Sequence, residues 1–164
     1  MLTVQFHKEE GKPVILKCIR KDGSATWSKI HPNTEYHDLA HIAIEEVLGF
    51  RNAFYGLIAS GFNIQDFELP EAQKPSALKG INLPEESIIT EHLVNLLTIE
   101  KFNGPLSNFI AQASQILREH DLTFPQNLNE DTLDRIRSHF NNLIVQWKQT
   151  ANYTYFEKVI SFGD

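Results

Sequence analysis

Two histidines lie four residues apart in the segment YHDLAHIAIEEVLGFRNAFYGLIASG, which spans residues 36–61. Residues at positions i and i+4 share one face of an α-helix, so the imidazoles of His37 and His41 are predicted to lie side by side. One helix supplies two ligands to a divalent metal such as zinc in this way. The third ligand must come from elsewhere, and Glu45 and His92 are the nearest candidates in the sequence.

The sequence HDLAH resembles the HExxH motif of zinc peptidases, with Asp38 in the place of the glutamate. Aspartate reaches one methylene less far, and the glycine-containing continuation of the metzincins does not follow. These departures argue against a peptidase and leave Asp38 as a weak candidate for a catalytic base. The pair His37-Asp38 also resembles the motif of His-Asp phosphohydrolases, but that family needs a further histidine on a preceding helix, and the residues before Asn33 are predicted to be strands.

The same residues also have a structural interpretation. His37 could bond a strand carbonyl, and Asp38 could stabilise the amino terminus of its helix. His92 is predicted on the apolar face of a later helix, where a core histidine is more common than a metal ligand. The neighbours of His92 on that predicted face are Ile88, Leu96 and Ile99.

Three hypotheses on function therefore remain. The first is a metal-binding protein that could act as a hydrolase, with His37 and His41 as ligands and Asp38 or Glu45 as base or third ligand. The second is a non-catalytic interaction or dimerisation module in which both histidines have structural roles. A third is small-ligand binding between the connection at residues 62–83 and the preceding helices.

The elements around the histidines predict an α+β fold in a single domain, residues 1–164. Apolar alternation and the Asp22-Gly23 turn indicate antiparallel strands at the start of the chain. The last strand could pair with this meander. The predicted segments are a β-meander at 1–31, a central helix and a short helix at 33–61, a long connection at 62–83, three helices at 84–150 and a last strand at 153–162.

The central helix is predicted to end near Leu48, before Gly49, and Asn52 is predicted to cap the short second helix. Apolar residues cover most of its circumference, so other elements must pack on several of its sides. The two histidines and Glu45 form a row at the border between the apolar and polar faces, with His37 closest to the apolar face.

Composition and charge exclude several classes of protein. The net charge is −6, with six Lys/Arg against three Asp/Glu in residues 1–30 and nine against eighteen in the remainder. This acidic bulk argues against a nucleic-acid partner.

The start of the chain lacks a basic leader followed by an apolar stretch. The single Cys18 cannot form an internal disulfide. We therefore expect a soluble cytoplasmic protein. A homodimer could form through the last helices or the sheet edge.

Most of the chain resembles a known family. The motif DGSATW in the opening strands and the segment YHDLAHIAIEEVLGFRNAFYGLIASGFNIQDF are similar to a family of small uncharacterised bacterial proteins. Its members share a His-Asp-Leu-x-His helix followed by a Phe-x-Gly-Leu segment. The resemblance implies a bacterial cytoplasmic protein and brings no activity with it.

Overall fold

A computed structural model describes residues 1–162, which form one antiparallel sheet and a set of helices. The sheet has the strand order β3-β2-β1-β4. The predicted α+β class is confirmed, and so is the pairing of the last strand with the first. The strands are β1 (Leu2–Lys8), β2 (Ile15–Arg20), β3 (Ala25–Lys29) and β4 (Thr154–Ile160).

Six α-helices occur within residues 1–162: α1 (Glu35–Leu48), α2 (Phe54–Ala59), α3 (Ile64–Glu68), α4 (Glu85–Asn103), α5 (Phe109–Glu119) and α6 (Glu130–Gln149). Gly49 ends α1 in the left-handed conformation, with φ of 71°, as predicted. The cap of α2 is Ala53 rather than the predicted Asn52. The predicted connection at 62–83 is partly helical, because it contains α3 and two 3₁₀ turns. None of the helices in the described residues is long and apolar enough to cross a membrane.

The sheet has one buried face and one face toward solvent. Alternate residues of the strands are fully buried against the helices, among them Leu2, Val4, Phe6 and Cys18. The residues between them point the other way, and on the two edge strands they are exposed, as at Trp27. Period-two alternation in a half-buried sheet explains this division.

Helix α1 is the central element of the core. Seven consecutive residues, 39–45, are buried, which requires neighbours on several sides of the helix. Helices α4 and α6 both pack against α1, and the buried face of the sheet contributes to the same apolar core. The prediction of a core helix is confirmed, and any polar side chain on its buried residues must find its partners inside the protein.

Two sets of polar contacts fix the elements that surround α1. On the sheet side, Arg20 of β2 donates hydrogen bonds to the carbonyls of Ile58 and Phe62, which hold the end of α2. On the other side, the Glu86 carboxylate accepts from the backbone amides of Arg51 and Asn52 at 2.8 and 2.6 Å. The amino termini of α2 and α4 are thereby held beside α1.

Candidate metal centre

Three side chains from two helices converge at the surface between α1 and α4. His37 and His41 come from α1, and Glu91 comes from the second turn of α4. Glu91 Oε2 lies 3.4 Å from His37 Nε2, and Glu91 Oε1 lies 3.1 Å from His41 Nε2. The two imidazole rings are 4.8 Å apart between centroids. One potential ligand atom from each residue lies within 4.8 Å of the other two, so the cluster could hold a metal ion.

The remaining ring nitrogen of each histidine faces a second carboxylate. His37 Nδ1 lies 3.4 Å from Asp38 Oδ1, and His41 Nδ1 lies 3.2 Å from Glu45 Oε1. A carboxylate on Nδ1 favours the tautomer in which Nδ1 carries the proton and Nε2 presents its lone pair. Both Nε2 atoms point toward Glu91, so the arrangement presents two ligand nitrogens toward one carboxylate.

Glu45 is a fully buried carboxylate whose partners are all N–H groups. Its oxygens accept hydrogen bonds from the backbone amides of Tyr55 and Gly56, at 3.0 and 3.2 Å, in the first turn of α2. A Cβ at Gly56 would lie 2.1 Å from the Arg51 carbonyl oxygen, so only glycine fits this close approach. The glycine lets α2 place its amides on Glu45, and Glu45 in turn fixes the ring of His41.

Two of the separations in the cluster, from the two Glu91 oxygens to the two histidine nitrogens, are close to those around a small divalent ion. Two donors on a tetrahedral zinc, each about 2.0–2.1 Å from the ion, lie about 3.3 Å apart. The separations of 3.1 and 3.4 Å between Glu91 and the two histidines bracket this value. The side chain of Glu91 is 51% exposed, so it can rotate to bring one oxygen between the two nitrogens. His41, at 3% exposure, is held in place.

The pKa values of the cluster reflect strong coupling between its charges. Hydrogen bonds to Asp38 and Glu91 raise the pKa of His37 to about 9. Burial lowers the pKa of His41, but hydrogen bonds to Glu45 and Glu91 outweigh burial and raise it to about 10. Burial raises the pKa of Glu91, but its bonds to both histidines prevail and hold that pKa well below its usual range. Without a metal, the histidines are therefore protonated at neutral pH.

Burial raises the pKa of Glu45, which would favour a neutral carboxyl group. The hydrogen bonds from His41, Gly56 and Tyr55 oppose this, because each donor favours the ionised form. The geometry therefore supports a carboxylate. One divalent ion on two neutral imidazoles carries the same charge as two protons, so exchange of the protons for the ion leaves the charge of the cluster unchanged.

The structure brings together only part of the site predicted from the sequence. His37 and His41 lie side by side as expected, but His41 is buried whereas His37 is 40% exposed, the reverse of the predicted order. Glu45 lies on the far nitrogen of His41, and Asp38 lies on the far nitrogen of His37, so neither faces the space between the two Nε2 atoms. Glu91 takes the place for which the sequence offered Glu45 or His92.

His92 points away from the cluster. Its ring lies 4.5 Å from that of His120 at the end of α5. Helix α4 buries only part of the predicted face, since Leu96 is buried but Ile99 is 45% exposed. The buried apolar residues of α4 are Ile89, Leu93, Val94, Leu96 and Leu97. No motif or periodicity in the sequence indicated Glu91, since its position depends on how α4 packs against α1.

One side of the cluster is apolar and the other is open. The ring of Phe54 lies 5.6 Å from that of His41 and 4.9 Å from that of Phe67, so aromatic side chains border the buried histidine. The exposure of His37 and Glu91 leaves the opposite side accessible to solvent. A metal ion held here would have three protein ligands and one side open to water.

Comparisons with known proteins add no further assignment. No protein-family model matches the sequence, and neither a curated protein nor a solved structure is significantly similar to it. The candidate centre is therefore interpreted from its own geometry and chemistry.

Proposed function

We propose that the protein binds a divalent metal ion, with zinc as the best fit, through His37 Nε2, His41 Nε2 and the carboxylate of Glu91. The observation that carries the proposal is that the Nε2 atoms of both histidines approach the carboxylate of Glu91. At the same time, each Nδ1 faces a carboxylate of its own, from Asp38 or from Glu45. Outer carboxylates on metal-binding histidines are common in zinc sites because they fix the tautomer and orient the ring.

Two histidines, one carboxylate and an open position form the ligand set of a catalytic zinc centre rather than of a closed structural one. A zinc ion in such a centre lowers the pKa of a coordinated water to near 7 and so supplies a nucleophile for hydrolysis. We therefore propose metal-dependent hydrolysis as the reaction class. Asp38 is bonded to His37 Nδ1, so in this proposal it orients the ligand and does not act as the base.

The metal content of untagged protein tests the proposal directly. Protein purified without chelator is expected to contain near-stoichiometric zinc, manganese, iron or nickel by plasma mass spectrometry. Protein stripped of metal is expected to regain one ion per chain and to unfold at a higher temperature. With free zinc at about 100 times its dissociation constant, the gain is about 2.7 kcal/mol, or roughly 5–10 °C in Tm. Protein that is empty as purified and cannot be loaded with any of these ions would end the proposal.

The effect of zinc on stability is expected to grow with pH. Because His37 and His41 have pKa values of about 9 and about 10 without metal, zinc must displace two protons at neutral pH. Below these pKa values the apparent zinc affinity should rise by up to about 100-fold per pH unit. Melting curves with and without zinc between about pH 6 and pH 9 measure this dependence. A zinc-induced shift in Tm that stays constant over this range would contradict it.

The metal-free protein is expected to show the opposite trend. The folded-state pKa values of His37 and His41 lie above the unfolded value of 6.5. Their contribution to the stability of the folded protein is therefore fully present below pH 6.5 and is lost as pH rises through about 9 and about 10. The pKa of Glu91 is depressed, so its contribution to stability is present above the ordinary glutamate pKa of 4.5 and is lost as pH falls below that value. Melting of the metal-free protein over the same pH series serves as the control.

A second candidate function is the non-catalytic module. The contacts of 3.1 and 3.4 Å between Glu91 and the two histidines could join α1 to α4 by ion pairs alone, with no metal. This alternative predicts that the protein is most stable at pH values where the histidines are protonated and that added zinc does not change its Tm. The metal-loading experiment distinguishes the two, because only the metal centre predicts a zinc-dependent rise in Tm.

A further inference from the structure

The solvent-facing side of the sheet carries a second group of residues that the metal centre does not use. In the strand register, His7 of β1 lies opposite Ile15 of β2 and Tyr155 of β4, and Ile15 lies opposite Lys29 of β3. Directly opposed residues in antiparallel strands share a face, so these four side chains form one row across the whole sheet. Their sequence neighbours Phe6, Leu16 and Phe156 are buried, which places the row on the solvent side.

This row borders a cleft of about 440 Å³ beside the β1–β2 hairpin, which we call the hairpin cleft. Its volume falls in the range of small-molecule sites, which is roughly 300–1,000 Å³. One side of the cleft is formed by the hairpin turn, and the other by the residues that lead into β4. Its lining includes His7, Lys12, Ile15, Lys29, Tyr153 and Tyr155.

Aromatic rings are exposed in the cleft. The rings of His7 and Tyr155 lie 5.0 Å apart and are tilted by 36°, which is within the range of stacked pairs. Tyr155 is 50% exposed and Tyr153 is 76% exposed, although tyrosine in a folded protein usually covers much of its ring. Exposed flat rings beside a cleft are suited to stack against an aromatic ligand.

Tyr153 is held in an unfavourable backbone conformation. Its φ is 62°, in the left-handed region, where a bulky residue is an outlier and glycine would be favoured. Its amide donates a 2.7 Å hydrogen bond to the carbonyl of Lys8, which fixes the turn before β4. A strained, exposed tyrosine at the edge of a cleft is consistent with a role in binding.

Positive charge also lines the cleft. Lys12 and Lys29 line the cleft, and both are exposed. Lys12 forms a 2.5 Å salt bridge to Glu9, but both side chains are largely exposed, so an anionic ligand can compete for the ammonium group. Burial and the charge of Lys17 lower the pKa of His7, which leaves its ring neutral at pH 7. The cleft thus combines neutral rings with three lysines, Lys8, Lys12 and Lys29, and with the Glu9 carboxylate. The Lys8 ammonium donates hydrogen bonds to the carbonyls of Trp147 and Thr150, and Glu9 pairs with Lys12.

We propose that the hairpin cleft binds an aromatic phosphate of nucleotide size, with its ring stacked on Tyr153 and Tyr155 and its phosphate between Lys12 and Lys29. Complementary charge selects the phosphate, since residues 1–30 hold six Lys/Arg against three Asp/Glu whereas the remainder holds nine against eighteen. The acidic remainder disfavours a long polyanion and so favours a single nucleotide over a nucleic acid. This inference does not depend on the metal centre.

Calorimetric titration of chelator-treated protein with adenosine monophosphate tests the proposal at low salt. Removal of metal excludes coordination of the phosphate to an ion at Glu91, His37 and His41, and the substitutions in the cleft identify the site that remains. Adenosine and inorganic phosphate are each expected to bind more weakly than the nucleotide, because each makes only part of the contacts. A short RNA oligonucleotide is expected to bind more weakly than the nucleotide. Tighter binding of the RNA, with the same sensitivity to substitution, would contradict the assignment of a single nucleotide.

Substitutions locate the binding site. Tyr155→Ala and Lys29→Gln are each expected to lower the affinity for adenosine monophosphate roughly fivefold or more. Phe102→Ala and Lys21→Gln are the matched controls, because Phe102 and Lys21 are exposed but lie outside the cleft. Both control variants should bind like the wild type.

Tyr153→Gly separates binding from folding. Glycine adopts a positive φ without strain, so this variant is expected to melt no lower than the wild type and still to lose affinity roughly fivefold or more. Two results would overturn the proposal: absence of saturable nucleotide binding up to about 10 mM, or binding that Tyr155→Ala, Lys29→Gln and Tyr153→Gly all leave unchanged.

Discussion

Replacement of both His37 and His41 by alanine is expected to reduce the bound metal from near-stoichiometric to background. Each substitution removes one of the three proposed ligands, and a single carboxylate on an exposed side chain cannot retain the ion alone. The measurement is plasma mass spectrometry on untagged protein, followed by a zinc titration of the stripped protein. Circular dichroism must show that the variant keeps its helical content, so that metal loss is not a consequence of unfolding.

The chain contains a matched control for this experiment. His92 and His120 also form a pair, with ring centroids 4.5 Å apart, on α4 and at the end of α5. The double variant His92→Ala, His120→Ala removes as many imidazoles from the protein but leaves the cluster intact. It should keep its full metal content. Equal loss of metal in both double variants would indicate non-specific binding by surface histidines and would contradict the assigned centre.

The central helix could be predicted from the sequence because its signals are local. Apolar residues surround most of α1, and Gly49 ends it in the left-handed conformation. Asn129 caps α6 through a 3.0 Å bond from the Thr132 amide. The period-two pattern of the first strand and the aromatic, β-branched residues of the last strand were also enough to predict that these two strands pair. The spacing of His37 and His41 on a helix is a local signal of the same kind.

The third member of the cluster depends on information that no local pattern contains. Helix α4 has apolar residues on several sides, so its sequence does not fix which face meets α1. The face of α4 predicted to be buried, which contains His92 and Ile99, is partly exposed. Relative to that prediction, α4 is rotated about its axis, and the rotation brings Glu91 to the histidines. The bonds from Arg51 and Asn52 to Glu86 help to set this rotation, and they join residues more than thirty positions apart.

Glu45 illustrates a second limit of the sequence. A glutamate one turn after His41 is a natural candidate for a ligand, but the predicted row put Glu45 farthest from the apolar face, whereas its side chain is fully buried. Its oxygens are instead occupied by backbone amides at the start of α2 and by His41 Nδ1. Whether a carboxylate binds the metal or supports a ligand depends on which nitrogen of the ring it faces, and this follows only from the packing of α2 against α1.

Substitution of Glu45 is expected to have the largest effect on stability. Glu45→Leu removes the acceptor from His41 Nδ1 and from two buried amides, and it should lower the free energy of unfolding by about 3–5 kcal/mol. Glu45→Gln keeps the shape but places an NH₂ group against N–H donors, so a loss of about 2–3 kcal/mol is expected. Urea unfolding of the metal-free proteins, followed by circular dichroism, measures both values.

The role of Glu45 in positioning His41 requires a readout other than stability. Glu45→Gln at a temperature where it is folded should bind zinc roughly 10–100-fold more weakly, because an outer carboxylate no longer orients the ligand. Glu46→Gln is the matched control, since Glu46 is the next residue of α1 and also bonds a histidine, His139. We expect Glu46→Gln to lose some stability and to retain wild-type zinc affinity. If Glu45→Gln loses stability and yet binds zinc like the wild type, Glu45 serves the fold alone.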